Sequence, residues 1–214
     1  LEALQNIGRR LAARLDAGDI LCLHGPLGAG KSALSRAIIS GLCRDIDDIP
    51  SPTFTLVQPY LAKAGFEVWH LDLYRLEREE EVLALGIEEA FFEACCLIEW
   101  PERITALLPD SAMHLYLGFG EKEESRILNL SAPDAPIHNN AQNDAQNNAQ
   151  NNAQKKLASW LADIIRASSP LIGLPANRRT VYSSAYDQHI PLSTSSHERL
   201  LHHSSRKAFC TLFG

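Results

Sequence analysis

Residues 18–38 read GDILCLHGPLGAGKSALSRAI, and within them GPLGAGKS, Gly25 to Ser32, fits the pattern G-x-x-x-x-G-K-[ST] without a mismatch. Glycines let the backbone curl until successive N–H groups converge on phosphate oxygens. The helix predicted from Ser32 adds its positive dipole end at the same spot. In this reading Gly25, Pro26, Leu27, Gly28, Ala29, Gly30, Lys31, Ser32 and Ala33 wrap the phosphates of a nucleoside triphosphate. Lys31 reaches the β and γ phosphates and the Ser32 hydroxyl binds Mg²⁺. A glycine-rich turn without a ligand has no need of lysine and serine in those two places. The setting agrees, because Ile20 to His24 is a short apolar run suited to a buried strand, and Leu34, Ala37, Ile38 and Leu42 follow at helical spacing.

Outward from this unit the pattern alternates helix and strand. Leu4, Ile7, Leu11 and Leu15 recur every three or four positions and predict a first helix that stops near Gly18. Phe54 to Tyr60 and Phe66 to Leu73 read as two strands around the turn residues Lys63, Ala64 and Gly65. An acidic helix is expected from Arg78 to Glu93, with Gly86 in its interior, then strands at Ala94 to Trp100, Met113 to Phe119 and Ser125 to Leu130. The fold class is α/β: a P-loop NTPase fold with a mostly parallel sheet, antiparallel additions at one edge, and helices on both faces.

A triphosphate held this way needs an acid for its Mg²⁺ at the end of a neighbouring strand. Glu99 ends CCLIEW and Asp72 ends the apolar part of EVWHLDLYRL, so both are candidates; the plainer reading makes either a surface acid or a partner of Arg75 or Arg103. Thr53 and Thr55 in SPTFTLV are placed to present hydroxyls to the γ-phosphate from a loop whose extended entry Pro50 and Pro52 set.

The 214 residues carry 26 acids against 20 bases, a net charge of −6, which argues against a general nucleic-acid or membrane-surface binder. No DNA and no membrane partner is expected. Cys22, Cys43, Cys95, Cys96 and Cys210 are odd in number and lack C-x-x-C spacing, as buried thiols of a reducing compartment would. With no long apolar run and no signal-peptide order at the N-terminus, a cytoplasmic location is expected. Residues 1–138 are read as the ATPase domain, and 139–154, the tetrads NNAQ NDAQ NNAQ NNAQ, as a low-complexity insertion that cannot offset its ordering entropy. KKLASWLADIIRA then places Leu157, Trp160, Leu161, Ile164 and Ile165 on one helical face, so 155–170 is read as the domain's last helix. Residues 171–214 form a tail without periodicity, expected to be solvated; its His197, His202 and His203 are a weak metal pattern.

Together these motifs resemble the TsaE family, also called YjeE, the P-loop ATPases of bacterial tRNA threonylcarbamoyladenosine synthesis. The resemblance is carried by GDILCLHGPLGAGKSALSRAI, SPTFTLVQPY, HLDLYRL, LALGIEEAF and CLIEWPERI followed by LLP, in the family's order from about Leu4 to Leu130, and by the helix from Lys155 to Ala167. It implies a small Mg²⁺-dependent ATPase acting with the TsaB and TsaD proteins, which make the threonylcarbamoyl group and transfer it to the adenosine at position 37 of ANN-decoding tRNAs. The tRNA is then reached only through the complex. It also implies nucleotide and metal roles for Lys31 and Ser32, a Mg²⁺ role for Glu99, a place near the nucleotide for Trp100, and functional loops around Asp72 and Thr53. Lys31, Glu99, Asp72 and Thr53 form the expected catalytic set, Ser32, Glu99 and Asp72 the expected metal set, and Arg126 in ESRILNL resembles the family's late basic residue near the nucleotide. The sequence places no arginine as a finger in cis, so slow hydrolysis that partners accelerate is expected. One alternative is a small-molecule or nucleotide kinase, which needs an acceptor pocket and an arginine-rich lid; another is a nucleotide-dependent binding module. The short N-terminus, the tetrad tract and the 44-residue tail depart from the family's pattern.

Overall fold

Leu4, Ile7 and Leu11 do share one helical face. Helix α1 spans Glu2–Ala12 in the computed structural model, which describes residues 2–44, 46, 48–121, 125–131, 155, 156, 160 and 208–212. The helix ends earlier than its apolar spacing suggests, because the chain turns where the Arg14 amide bonds the Leu11 carbonyl; Leu15 reaches the core from beyond that turn.

Strand β1 is Ile20–His24, and β2 to β7 are Val57–Leu61, Glu67–Asp72, Cys95–Glu99, Met113–Phe119, Arg126–Ser131 and Ala208–Leu212. They form one seven-stranded sheet in the order β2-β3-β4-β1-β5-β6-β7. The central strands β3, β4, β1 and β5 run parallel. Antiparallel pairing occurs at both edges rather than one, through β2 on β3 and through β6 on β5 with β7 beyond it. Short connections cause this at β2–β3 and β5–β6, since a tight turn can join only antiparallel neighbours. β7 comes from the tail: its AFCTL backbone pairs with β6, an edge strand whose outer groups are otherwise unpaired.

β1 is apolar on both sides because it is covered on both. Leu21 and Leu23 face α1, helix α2 (Lys31–Leu42) and Trp160, while Ile20 and Cys22 face helices α3 (Glu79–Leu83) and α4 (Ile87–Glu93) and a 3₁₀ turn at Pro101–Ile104. Each such fully buried aliphatic side chain contributes about 1.5–3 kcal/mol. The expected single acidic helix is thus two, broken at Gly86, whose φ of +80° lies in the left-handed region that ends one helix and starts the next. Likewise, β2 begins at Val57 rather than Phe54, because Thr53–Thr55 turn and Leu56 takes a φ of +63°.

Lys155, Lys156 and Trp160 are helical, Lys156 pairs with Asp16 and Asp19, and Trp160 is buried against the α1–α2 side of the sheet. The tetrad tract, the remainder of the expected last helix and the tail outside β7 lie outside the described residues. Among the described residues no helix is long and apolar enough to cross a membrane. Cys22, Cys43, Cys95 and Cys96 are buried free thiols.

Candidate functional site

The turn between β1 and α2 is shaped by backbone geometry. Gly25 has φ +133°, and a Cβ there would stand 2.1 Å from the Leu117 carbonyl oxygen on β5, so no other residue fits against that strand. α2 begins at Lys31 with no side-chain cap at Gly30, which leaves its first amides without a side-chain partner. Lys31 is itself buried; its Nζ donates to the carbonyls of Gly25 at 2.6 Å and Pro26 at 3.0 Å and lies 3.8 Å from the centre of the Trp100 ring. Burial pushes its ammonium below the usual lysine range, against the opposing pull of Glu99, Glu102 and Asp72. Trp100 is brought there by a left-handed φ of +59° directly after β4, a conformation uncommon for a bulky side chain.

Two carboxylates face this turn. β3 and β4 are paired so that Asp72 stands opposite Glu99, and Glu99 in turn stands opposite Leu23 at the end of β1. Glu99 is 1% exposed. Its Oε2 accepts from the Ser32 hydroxyl at 2.8 Å, and its Oε1 lies 2.8 Å from His70 Nε2 and 3.3 Å from the Ser35 hydroxyl, which also lies 3.2 Å from the Lys31 carbonyl. Asp72 Oδ2 accepts from Thr53 at 2.6 Å and Ser51 at 3.5 Å, and its Oδ1 accepts from the Tyr74 amide at 3.1 Å. Arg103 donates instead to the Tyr74 carbonyl, and Arg75 stacks over the Phe54 ring at 4.3 Å, so among the described residues neither arginine is paired with either acid.

Between the turn, the two strand ends and the Ser51–Thr53 segment lies a cavity of about 380 Å³. Of the residues predicted from sequence, Leu27, Gly28, Gly30, Lys31, Ser32, Ala33, Thr53, Asp72, Glu99 and Trp100 line it. Gly25 and Pro26 stand behind the lysine they hold, and Ala29 is buried beneath the loop, so these three shape the turn without lining the cavity. Arg126 is not among the lining residues: its guanidinium lies 4.9 Å from the centre of the Phe119 ring and donates to the Ser125 carbonyl. Thr55 is exposed and outside the cavity. Sequence reading missed Ser35, His70, Ser51 and Tyr74, and it named Arg75 only as an ion-pair partner although that residue lines the cavity. Two signals were present: Ser35 follows Ser32 by one helical turn, and His70 precedes Asp72 by two residues on the same strand face.

At the root of the turn sits a second polar cluster. His24 Nδ1 lies 2.8 Å from Glu102 Oε1, His24 Nε2 lies 2.9 Å from His114 Nδ1, and its ring stacks on Tyr116. Burial pulls His114 down to about 4, with the nearby His24 adding to the effect and Glu102 opposing it.

A strand, a glycine turn and an uncapped helix, set at the carboxyl ends of parallel strands beside two in-register carboxylates, define a P-loop protein of the α/β class. A family model described as threonylcarbamoyl adenosine biosynthesis protein TsaE matches residues 1–127. The chain belongs to the TsaE family of tRNA threonylcarbamoyladenosine biosynthesis proteins. It is 38% identical over 130 residues to the tRNA threonylcarbamoyladenosine biosynthesis protein TsaE of Rickettsia bellii, a match covering 61% of this chain and 89% of that one. To the protein of the same description from Rickettsia conorii it is 45% identical over 107 residues, covering 50% of this chain and 61% of that protein. The Bacillus subtilis counterpart is 33% identical over 129 residues, covering 59% and 78%. The crystal structure of Bacillus subtilis YdiB superposes with a TM-score of 0.53 at 24% identity, over 78% of this chain and 90% of that one, a likeness of fold.

Proposed function

We propose that this chain binds ATP with Mg²⁺ in the cavity over the Gly25–Ser32 turn and hydrolyses it on behalf of the TsaB and TsaD proteins, reaching tRNA only through that complex. The observation that carries the reading is the Ser32 hydroxyl, 2.8 Å from Glu99 Oε2 at the first turn of an uncapped helix whose neighbouring residue is a buried lysine. The donor set suits the ligands. Hydroxyl and carboxylate oxygens are what Mg²⁺ takes, and free helix amides with a lysine are what phosphate oxygens take. Ser32 and Glu99, with Asp72 beside them, would hold the metal, which supplies neutralisation of the β- and γ-phosphate oxygens when bound.

The chain's own residues do the rest. Lys31 exchanges the Gly25 and Pro26 carbonyls and the Trp100 ring for phosphate oxygens, a better partner for a partly desolvated ammonium. Glu99 orients the attacking water and Asp72, through Thr53, couples the 51–56 loop to the strand ends. Arg75, now resting on Phe54, is the one arginine among the lining residues and adds positive charge at the cavity mouth. The loop's two states, with and without a γ-phosphate to hold Thr53, are what partner proteins read. Buried free thiols fit action in the reducing cytoplasm.

Calorimetry of ATP and Mg²⁺ into the chain, and turnover with and without TsaB and TsaD, test this. Binding that Lys31→Ala abolishes and turnover that the partners raise are expected; equal rates with and without them would defeat the partner-driven reading. The kinase alternative calls for an arginine-rich lid where the cavity has Arg75 alone, and a phosphorylated product from a nucleoside or sugar panel would restore it.

A further inference from the structure

We propose that His70 is a positioning residue for Glu99: it donates from Nε2 to Oε1 and so keeps Oε2 on the Ser32 hydroxyl at the cavity. His70 is fully buried on β3, with Nε2 2.8 Å from Glu99 Oε1. Its other ring nitrogen, Nδ1, is buried and has no hydrogen-bond partner among the described residues. A buried N–H left without an acceptor is costlier and rarer than an unused lone pair. The ring proton therefore sits on Nε2, where a carboxylate receives it, and Nδ1 is bare.

Ser35, also fully buried and one helical turn from Ser32, has its hydroxyl 3.3 Å from the same oxygen and 3.2 Å from the Lys31 carbonyl, so its one proton is shared between them and His70 is the stronger hold on Oε1. Oε1 thus faces His70, with Ser35 beside it, both on regular structure, and Oε2 has the Ser32 hydroxyl. A carboxylate's last torsion is soft, so without those partners the carboxylate plane would swing and an oxygen would no longer be held on the Ser32 hydroxyl. Buried polar partners of this kind orient a metal-binding carboxylate and tune its basicity, and removing one typically lowers metal affinity or activity about 10–100-fold.

The kinetic part of the test rests on the ATPase reading; the spectroscopic part does not. In ¹⁵N-labelled nucleotide-free chain, the His70 ring is expected to carry a slowly exchanging proton on Nε2, its signal shifted by Glu99→Gln. His70→Phe keeps the ring volume and removes the donor, while His70→Gln returns an N–H near the Nε2 position. With thermal unfolding showing both variants folded, His70→Phe is expected to lower kcat and the affinity for Mg²⁺ about 10–100-fold with little change in KM for ATP, and His70→Gln to recover most of the loss. A proton found on Nδ1 would overturn the proposal. So would wild-type kcat and Mg²⁺ dependence in folded His70→Phe, or a Gln variant as poor as the Phe one. A wild-type chain that bound no ATP would remove the ATPase reading and leave the ring spectrum to decide His70 alone.

Discussion

Glu99 and Asp72 end neighbouring strands in register, yet they are held by different kinds of structure. The partners of Glu99 are Ser32 and Ser35 on α2 and His70 on β3, all on regular elements that pack into the core. Those of Asp72 are Ser51 and Thr53 in the segment before β2 and a backbone amide just after β3. That segment lies between Pro50 and the left-handed Leu56, and the Phe54 ring on it is 81% exposed. The cavity accordingly has one wall built into the scaffold and one wall made by a loop tied down by a few local contacts, Asp72 on Ser51 and Thr53, its amide on the Leu56 carbonyl, and Arg75 over Phe54. Opening the first means disrupting the sheet and α2, at a cost near that of unfolding; opening the second means breaking a few hydrogen bonds. A bound ligand can move only the part whose two states lie close in free energy, which here is the loop wall.

The comparison breaks most visibly at the scaffold wall. Glu99→Ala removes the carboxylate that Ser32, His70 and Ser35 surround, and steady-state ATPase is expected to fall about 10²–10³-fold, equivalent to about 2.7–4 kcal/mol in the transition state. A loss under tenfold would mean that the built-in wall contributes no more than the loop. Thr53→Ala removes the 2.6 Å bond to Asp72, a hydrogen bond to a charged group. Such a bond is worth about 1.5–3 kcal/mol. Hydrogen exchange is expected to accelerate across residues 51–56 while α2 stays protected, whereas faster exchange in both would merge the two walls into one.

The smallest effect sharpens the picture at the root of the turn. The folded chain holds His114 at about 4 where an unperturbed histidine titrates at 6.5, so the unfolded chain takes up a proton that the folded chain refuses. Stability contributed by the neutral ring is fully present above the unfolded value and is lost as pH falls from there through the folded one. Because the ring is not fully buried, thermal unfolding at about pH 5 against about pH 7 is expected to show roughly 1 kcal/mol of it, which His114→Gln removes. An unchanged difference in that variant would place the acid sensitivity elsewhere.

Much of this was legible locally. β1 coincides with the apolar run Ile20 to His24, and α2 starts within one residue of its expected onset, because a doubly covered strand and a helix with one apolar face write their periods directly into neighbouring positions. Both acids were legible as charges at the exits of apolar strands. The break at Gly86 and the turn ahead of Val57 were not, since a glycine inside a periodic stretch is compatible with a continuous helix or a left-handed break, and packing chooses. Arg126 was picked by resemblance of pattern alone, and in the structure it rests over the Phe119 ring and does not line the cavity.

By itself the sequence determined that a phosphate-shaped turn stands between β1 and α2, because the requirement for glycine, lysine and a hydroxyl is met by consecutive residues of one short segment. Only the tertiary structure decided how Glu99 is held, with His70 lying 29 residues away along the chain and Ser35 lying 64. Those contacts depend on strand order and register, which are settled by burying all the strands together and leave no mark on the spacing of the residues that meet.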